Sequence, residues 1–391
     1  MRVAMVTTHP IQYQVPWLRL LGQKPGIDLH VFFAMVPDAS EQGREFGVAF
    51  DWDVPLLGGY DHSVLQNVSK RPSLTEFAGC DTPGIGKALR DGRFDAVIVN
   101  GWGSKTCLQA LWACRRTGVP CIVRGEVNGL RHRAGWKRLG HRMLLSRYAA
   151  VLTIGANNRT YCIQQGVDAA KLFNTPYCVD NQRFAAMADA ARADPGRELV
   201  AQRFGMNSQA TTFLFSGKLV EKKRPGDLIE ALRLARQQGA DGIQLLLVGD
   251  GPLRAELEQQ ARELPVHFAG FLNQSEIGAA YAASDCLLLP SDAGETWGLV
   301  VNEAMASGLP AIVSDQVGCA ANLIQPGVTG EVFPCTNVEA LAALLVSHAG
   351  QRPALATMGE NARRQVLEGY NFDRVVDGVM AALERVTEIP R

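Results

Sequence analysis

Pro290-Ser291-Asp292-Ala293-Gly294-Glu295-Thr296-Trp297-Gly298-Leu299-Val300-Val301-Asn302-Glu303-Ala304-Met305-Ala306-Ser307-Gly308-Leu309-Pro310 decides the fold. It opens on turn-forming residues, continues as an apolar helical run and places one glutamate in each part. The apolar run Cys286 to Leu289 precedes it and a second, Ala311 to Ser314, follows it. Strand, polar loop, helix and strand in that order is a βαβ unit, since a parallel neighbour is reached only by a long crossover.

The same alternation extends in both directions. Upstream in the second half, strands are expected at Thr212 to Ser216, Gln244 to Val248 and Val266 to Ala269, with helices beginning near Pro225, Pro252, Gln274 and Leu299. In the first half they are expected at Val3 to Thr7, Asp28 to Phe33, Ala96 to Asn100, Pro120 to Arg124 and Ala150 to Ile154. The class is therefore α/β, with two doubly wound parallel sheets. The Pro- and Asn-bearing stretch Asn174 to Asn181 reads as the crossover, so residues 1–180 and 181–370 are expected to form two domains. In the closing segment 371–391, Val375, Val376, Val379, Met380, Leu383 and Val386 recur at helical spacing.

Composition narrows the class of function. The chain has 391 residues, 47% of them hydrophobic, with 39 Lys+Arg balancing 39 Asp+Glu. At about 100–200 residues per domain, two or three domains are expected. Neutral balance argues against a strongly basic nucleic-acid binder and against a disordered chain. No apolar run approaches the ~20 residues of a membrane span, and the start lacks the pattern of a signal peptide, so a cytoplasmic protein is expected. Nine cysteines, with Cys107, Cys114 and Cys121 seven apart, lack the paired spacing of zinc or redox sites and read as buried thiols. The charge is unevenly placed: residues 1–180 carry 21 Lys+Arg and 14 Asp+Glu, residues 181–391 carry 18 and 25. A basic first half either suits an anionic partner such as a membrane surface or a phosphate-bearing acceptor, or reflects only a chance difference in acidity between the halves.

Ligands of doubly wound sheets lie beyond the carboxyl ends of the strands, so chemistry is sought in the turns that follow them. Glu295 falls in such a loop, and Glu303 sits about one turn into the helix among Val, Ala and Met. Carboxylates there either accept hydrogen bonds from vicinal sugar or ribose hydroxyls, or serve structure, Glu295 as a solvated loop residue and Glu303 as a helix carboxylate paired with a lysine. The helix start offers the N–H groups of Gly298, Leu299 and Val300 to an anion such as a diphosphate. A second cluster, Gly217-Lys218-Leu219-Val220-Glu221-Lys222-Lys223-Arg224-Pro225, places four cations after a strand end, suited to a leaving diphosphate. The turn Gly249-Asp250-Gly251-Pro252 lacks the third glycine of a dinucleotide loop and any Walker lysine.

These residues resemble those of glycosyltransferase family 4, the retaining nucleotide-sugar transferases of the GT-B fold. The resemblance rests on Gly217-Lys218-Leu219-Val220 with Lys223, on Val248-Gly249-Asp250-Gly251-Pro252, on Phe268-Ala269-Gly270-Phe271, and on Glu295 and Glu303 followed by Ser307-Gly308-Leu309-Pro310. It implies two Rossmann-like domains facing across a cleft, the first binding acceptor and the second the donor, with the last helix crossing back to the first. It further implies that Glu295 holds donor-sugar hydroxyls, Glu303 the ribose, and Lys218 and Lys223 the diphosphate. Gly217, Gly249, Gly251, Phe271, Thr296, Trp297, Gly298, Leu299 and Val300 are implied to complete the donor site, with no metal and no other cofactor. Lys218 stands where the family usually has Arg, which keeps the charge but not the bidentate fork.

The first half departs from the family pattern. Thr7-Thr8-His9-Pro10-Ile11-Gln12-Tyr13 occupies the loop where many members have Gly-Gly, so His9, Gln12 and Tyr13 either meet acceptor or diphosphate or serve structure. Arg124 and Glu126 stand where relatives have a His; they either face ligand or pair with each other. Arg131 to Arg147 has six Lys/Arg, no acid, and Trp136, Leu139 and Met143, which reads as a basic amphipathic segment that either docks at a membrane near a lipid-linked acceptor or forms a buried helix with a solvated basic face. Asp51-Trp52-Asp53 has the spacing of a metal-binding acid pair, a weak signal on spacing alone. The expected activity is transfer of a sugar from a nucleoside diphosphate to a hydroxyl of a glycan or lipid-linked acceptor, as in surface polysaccharide or lipopolysaccharide synthesis, without nucleic acid. The rival readings are a nucleotide-sugar sensor or scaffold, and a nucleotide-sugar 2-epimerase.

Overall fold

The computed structural model describes residues 1–43 and 49–388. Two compact units emerge: Met1–Glu41 and Val54–Tyr177 with the chain from Phe372 onward, and Gln42–Asp53 with Cys178–Asn371. The closing helix thus belongs to the first unit, while the short stretch Gln42–Asp53 of the first half belongs to the second. Of the closing segment 371–391, residues 389–391 lie outside the described part.

The first unit is a seven-stranded parallel sheet of β1 (Arg2–Thr7), β2 (Asp28–Phe33), β3 (Asp61–Val64), β4 (Ala96–Asn100), β5 (Cys121–Gly125), β6 (Ala150–Thr153) and β7 (Leu172–Asn174), in the order β3-β2-β1-β4-β5-β6-β7. Its inner strands are continuous apolar runs because helices cover both faces. Ala4, Val6, Val97, Val99 and Val123 point into one core with Ile85, Leu89, Cys107 and Leu111 of the helices Ile85–Gly92 and Lys105–Thr117. The alternate residues, Val3, Met5, Ile98 and Ile122, are fully buried on the other face. The helix Phe372–Thr387 packs against the helix Val15–Gly22 and along β6 and β7.

The second unit is a six-stranded parallel sheet of β8 (Thr211–Ser216), β9 (Ile243–Val248), β10 (Val266–Gly270), β11 (Cys286–Leu289), β12 (Ala311–Ser314) and β13 (Gly330–Phe333), in the order β10-β9-β8-β11-β12-β13. The helix Asn181–Ala191 opens its continuous part, with the Asp180 carboxylate accepting from the Arg183 N–H at 3.0 Å. Both units are the expected doubly wound sheets. Three strands escape the sequence pattern, β3, β7 and β13. Each is three or four residues long, ends its sheet and so pairs on one side only.

Asp51 and Asp53 have structural partners. The Asp51 carbonyl accepts from Asn273 Nδ2 at 2.9 Å, and the Asp53 carboxylate accepts from the Ser275 N–H at 3.0 Å and from the Ser275 hydroxyl. Phe50 lies against Trp52 and Phe271, with ring centroids 4.9 and 4.3 Å away. These contacts fix the loop after β10. Every cysteine is a free thiol and all but Cys335 are buried. Among the described residues no helix is long and apolar enough to cross a membrane.

At Gly378 the closing helix closely approaches the sheet edge: a Cβ there would lie 2.0 Å from the Asn174 carbonyl oxygen. Alanine gains about 1 kcal/mol of helix propensity, but it must displace backbone, and overpacking costs about 1–3 kcal/mol. Gly378→Ala should therefore lower stability in denaturant unfolding; a stabilised protein would refute this packing.

Candidate active site

In the second unit the strand order reverses between β8 and β11, which are neighbours in space though β9 and β10 intervene in sequence. Such a switch point opens a crevice at the carboxyl ends of the strands. The loop after β8 carries Gly217, Lys218 and Lys223, and the loop after β11 carries Glu295. Lys223 Nζ and the Glu295 carboxylate meet as an ion pair across this point, with only 14% and 15% of their side-chain surfaces exposed. Backbone bonds reinforce the junction: the Asp292 N–H donates to the Lys222 carbonyl at 2.9 Å. The Glu295 carbonyl in turn accepts from the Gly318 N–H at 3.2 Å.

The glycines shape this floor. Gly249, at φ +125°, passes so near that a Cβ would fall 1.9 Å from the Gly217 carbonyl oxygen. The Gly217 N–H donates to the Val248 carbonyl at 2.9 Å, and Leu219 N–H to the Asp250 carbonyl at 2.9 Å, so the ends of β8 and β9 are laced together beside Gly251. Gly298 is left-handed at φ +97° and begins the helix Leu299–Ala306 without a side-chain cap. A Cβ on Gly298 would come within 2.9 Å of Leu289 Cδ2, so close packing below the helix requires the glycine as well. Leu299 and Val300 remain partly exposed at the helix start.

Glu303 projects from the start of the second turn of that helix and accepts from the Tyr281 hydroxyl at 2.7 Å. Burial raises its pKa to about 6, against the lowering effect of this hydrogen bond and of the Arg183 and Lys223 charges. Tyr281 is fully buried and its phenol is pushed well above its ordinary range, chiefly by burial and then by the Glu303 charge. Arg183 is held by Gln274, through the backbone carbonyl at 3.2 Å and the side-chain oxygen. No sequence motif marks Tyr281. The available signal was a lone phenol in the otherwise small and apolar helix Ile277–Ala283.

Other expected donor residues sit differently. Trp297 is buried, and its indole N–H donates to Asn302 Oδ1 at 2.8 Å, so its side chain is built into the core. Thr296 and Lys218 are partly exposed. Phe271 packs on Phe50. Arg224 turns to Asp227 through a two-point pair at 2.7 and 3.0 Å.

The first unit has its own switch point, between β1 and β4. Asn100 Nδ2 donates there to Thr7 Oγ1 at 3.3 Å and Gln14 Oε1 at 3.2 Å, fastening the two strand ends. His9 Nδ1 lies 2.9 Å from the Thr8 hydroxyl, and burial lowers its pKa to about 4, leaving the ring neutral at pH 7. Gln12 and Tyr13 are partly exposed, with Tyr13 edge-on to Tyr177 at 5.6 Å. Arg124 is only 2% exposed, its guanidinium 4.5 Å over Tyr177 and 5.8 Å from the Trp17 ring, a stacked core position. Glu126 lies beyond the strand and is partly exposed.

Comparison with known proteins adds two matched regions: residues 197–365 to the family described as Glycosyl transferases group 1, and residues 21–178 to Glycosyl transferase 4-like domain. A GDP-mannose-dependent alpha-mannosyltransferase of Mycobacterium tuberculosis is 32% identical over 292 residues, 71% of this chain and 69% of that one. The UDP-Gal:alpha-D-GlcNAc-diphosphoundecaprenol alpha-1,3-galactosyltransferase of Escherichia coli is 26% identical over 307 residues, 75% of this chain and 76% of the relative. Other curated relatives match over less of their length, the chain spanning 25% of one and 36% of another. In fold, the chain is similar to the Anabaena HepE structure with UDP and glucose, at TM-score 0.71 and 18% identity, covering 98% and 99% of the two chains.

Removing the Tyr281 hydroxyl withdraws the hydrogen bond that favours the Glu303 carboxylate. Tyr281→Phe should move the Glu303 pKa above its value of about 6 and cost about 1–3 kcal/mol of stability. Carboxyl NMR titration together with denaturant unfolding checks both. An unmoved or lowered pKa would show that the phenol does not support the carboxylate.

Proposed function

Since the chain belongs to the glycosyl transferases group 1 family, we propose that it moves a sugar from a nucleoside-diphosphate donor to an acceptor hydroxyl, with retention at the anomeric carbon and without a metal. The observation that carries this reading is the Lys223–Glu295 pair at the switch point beside an uncapped helix start. Cation, carboxylate and free N–H groups converge there on a ligand that is anionic at one end and rich in hydroxyls at the other.

In this reading Lys218, Lys223 and the N–H groups of Gly298, Leu299 and Val300 receive the diphosphate. Glu295 accepts from sugar hydroxyls and Glu303 from the ribose. Gly217, Gly249 and Gly251 shape the closely packed floor beneath the ligand, Thr296 adds a hydroxyl, and Phe271 marks the base side. The acceptor oxygen bonds to the anomeric carbon on the face from which the diphosphate leaves, and its proton passes to a diphosphate oxygen. The positive charges offset what develops on the leaving group. His9, Gln12 and Tyr13 serve the acceptor, His9 as a neutral ring. The acceptor is a glycan or lipid-linked glycan, met at the cytoplasmic face of a membrane through Arg131 to Arg147.

A release assay across nucleotide sugars, with and without chelator, tests the reading. One donor should yield its nucleoside diphosphate in the presence of chelator. Glu295→Ala and Lys223→Ala should each lower the rate by roughly 100-fold or more. Thermal-shift binding without release from any donor, with or without candidate acceptors, would overturn it in favour of a sensor.

The pH dependence follows from Glu303, whose carboxylate is the accepting form. As pH falls from 7 through about 6 it takes up a proton, so donor KM should rise toward pH 5. Glu303→Gln should raise KM at pH 7 and remove that dependence; an unchanged profile would assign it to another group.

A further inference from the structure

A hollow in the first unit is lined by Arg131, His132, Arg133, Arg138, Tyr161 and Gln165, with a volume of about 440 Å³ and no Asp or Glu in its lining. Arg133 is locked in place: one guanidinium nitrogen donates to the Asn128 carbonyl at 2.6 Å and the Arg131 carbonyl at 3.0 Å, and the guanidinium carbon lies 5.5 Å from the centroid of the Tyr161 ring. The Tyr161 hydroxyl is fixed in turn by His141 Nδ1 at 2.6 Å. Burial and the nearby Arg133 and Lys137 charges keep the His141 pKa low. The hollow therefore offers positive charge on an ordered frame.

The helix Gly135–Leu145 leaves this hollow and buries only Leu145. Trp136, Leu139 and Met143 recur at spacings of three and four, so they share one face, turned away from Leu145. They are 72%, 58% and 57% exposed. Lys137 Nζ stands 5.3 Å from the Trp136 ring, and Arg138 and Arg142 flank the opposite side of the stripe. Large apolar groups left open beside cations are costly in water and suited to the boundary between headgroups and acyl chains. A second copy of this face would bring like charges together, because Arg131 to Arg147 holds six Lys/Arg and no acid.

We infer that this hollow is a headgroup site for an anionic phospholipid of a bilayer, with Trp136, Leu139 and Met143 seated among its acyl chains. The inference rests on the membrane placement proposed above and adds that one built site, more than diffuse charge, receives the phosphate.

Co-sedimentation of the full chain with vesicles of phosphatidylcholine, alone or mixed with phosphatidylglycerol, tests it. Wild type should pellet with the mixed vesicles only. Arg131→Gln combined with Arg138→Gln should weaken binding by about fivefold or more per charge, whereas Arg116→Gln, exposed on another helix, should change it little. Trp136→Ser should also weaken binding, and nucleoside diphosphate release in solution should persist in all four proteins. Equal losses for the hollow and for Arg116→Gln would overturn the built site in favour of diffuse attraction. Equal binding to both vesicle types, saturation by inorganic phosphate with no vesicle binding, or a dimer lost in Trp136→Ser would overturn the lipid assignment. Absent release with intact vesicle binding would instead remove the transferase reading and leave this site standing.

Discussion

The ammonium of Lys223 and the carboxylate of Glu295 hold together two loops whose strands lie side by side while more than sixty residues separate them along the chain. A pair so little exposed has given up most of its water, and removing one partner of a buried pair costs about 3–5 kcal/mol because the other is left uncompensated. The pair thus fixes the mouth of the crevice before any ligand arrives. It also sets a condition on the ligand. An anion approaching Lys223 competes with Glu295, and hydroxyls approaching Glu295 compete with Lys223, so one molecule carrying both groups can replace both halves of the pair at once.

Glu303 is kept under a different regime. Its carboxylate sits in an apolar surround with a buried phenol as partner, and burial wins over the hydrogen bond, leaving the pKa near 6. The two glutamates of one motif thereby acquire distinct chemistry from their surroundings alone. One is tied to a cation at the loop, the other is poised near neutrality inside the helix.

Much of this was legible in the chain. The apolar runs of β1, β4, β8 and β11 are strands buried on both faces, and continuous hydrophobicity is their direct signature. Both members of the Lys223–Glu295 pair stand out in the sequence as functional, yet their meeting depends on strand order, which sequence spacing does not encode. Edge strands such as Asp61–Val64 have one free side and no need of an apolar run. Asp53 resembled a metal ligand because a cap and a ligand use the same side chain; its partner, Ser275, lies 222 residues away. Trp297 stood inside a ligand-rich motif, but its indole satisfies Asn302 within the core. Arg124 ended a strand, where a charge is expected to face ligand, and the aromatic rings that stack on it come from distant segments.

The helix Phe372–Thr387 belongs to the unit that begins at Met1. During synthesis, therefore, the ribosome delivers the whole of the second sheet before it delivers the element that covers β6, β7 and the helix Val15–Gly22. Until Val375, Val376, Val379 and Leu383 emerge, the apolar surface they bury stays open, while the second unit already has nearly all its residues. The unit begun first is thus the last to be complete, and until then its open face is apolar surface of the kind that promotes aggregation.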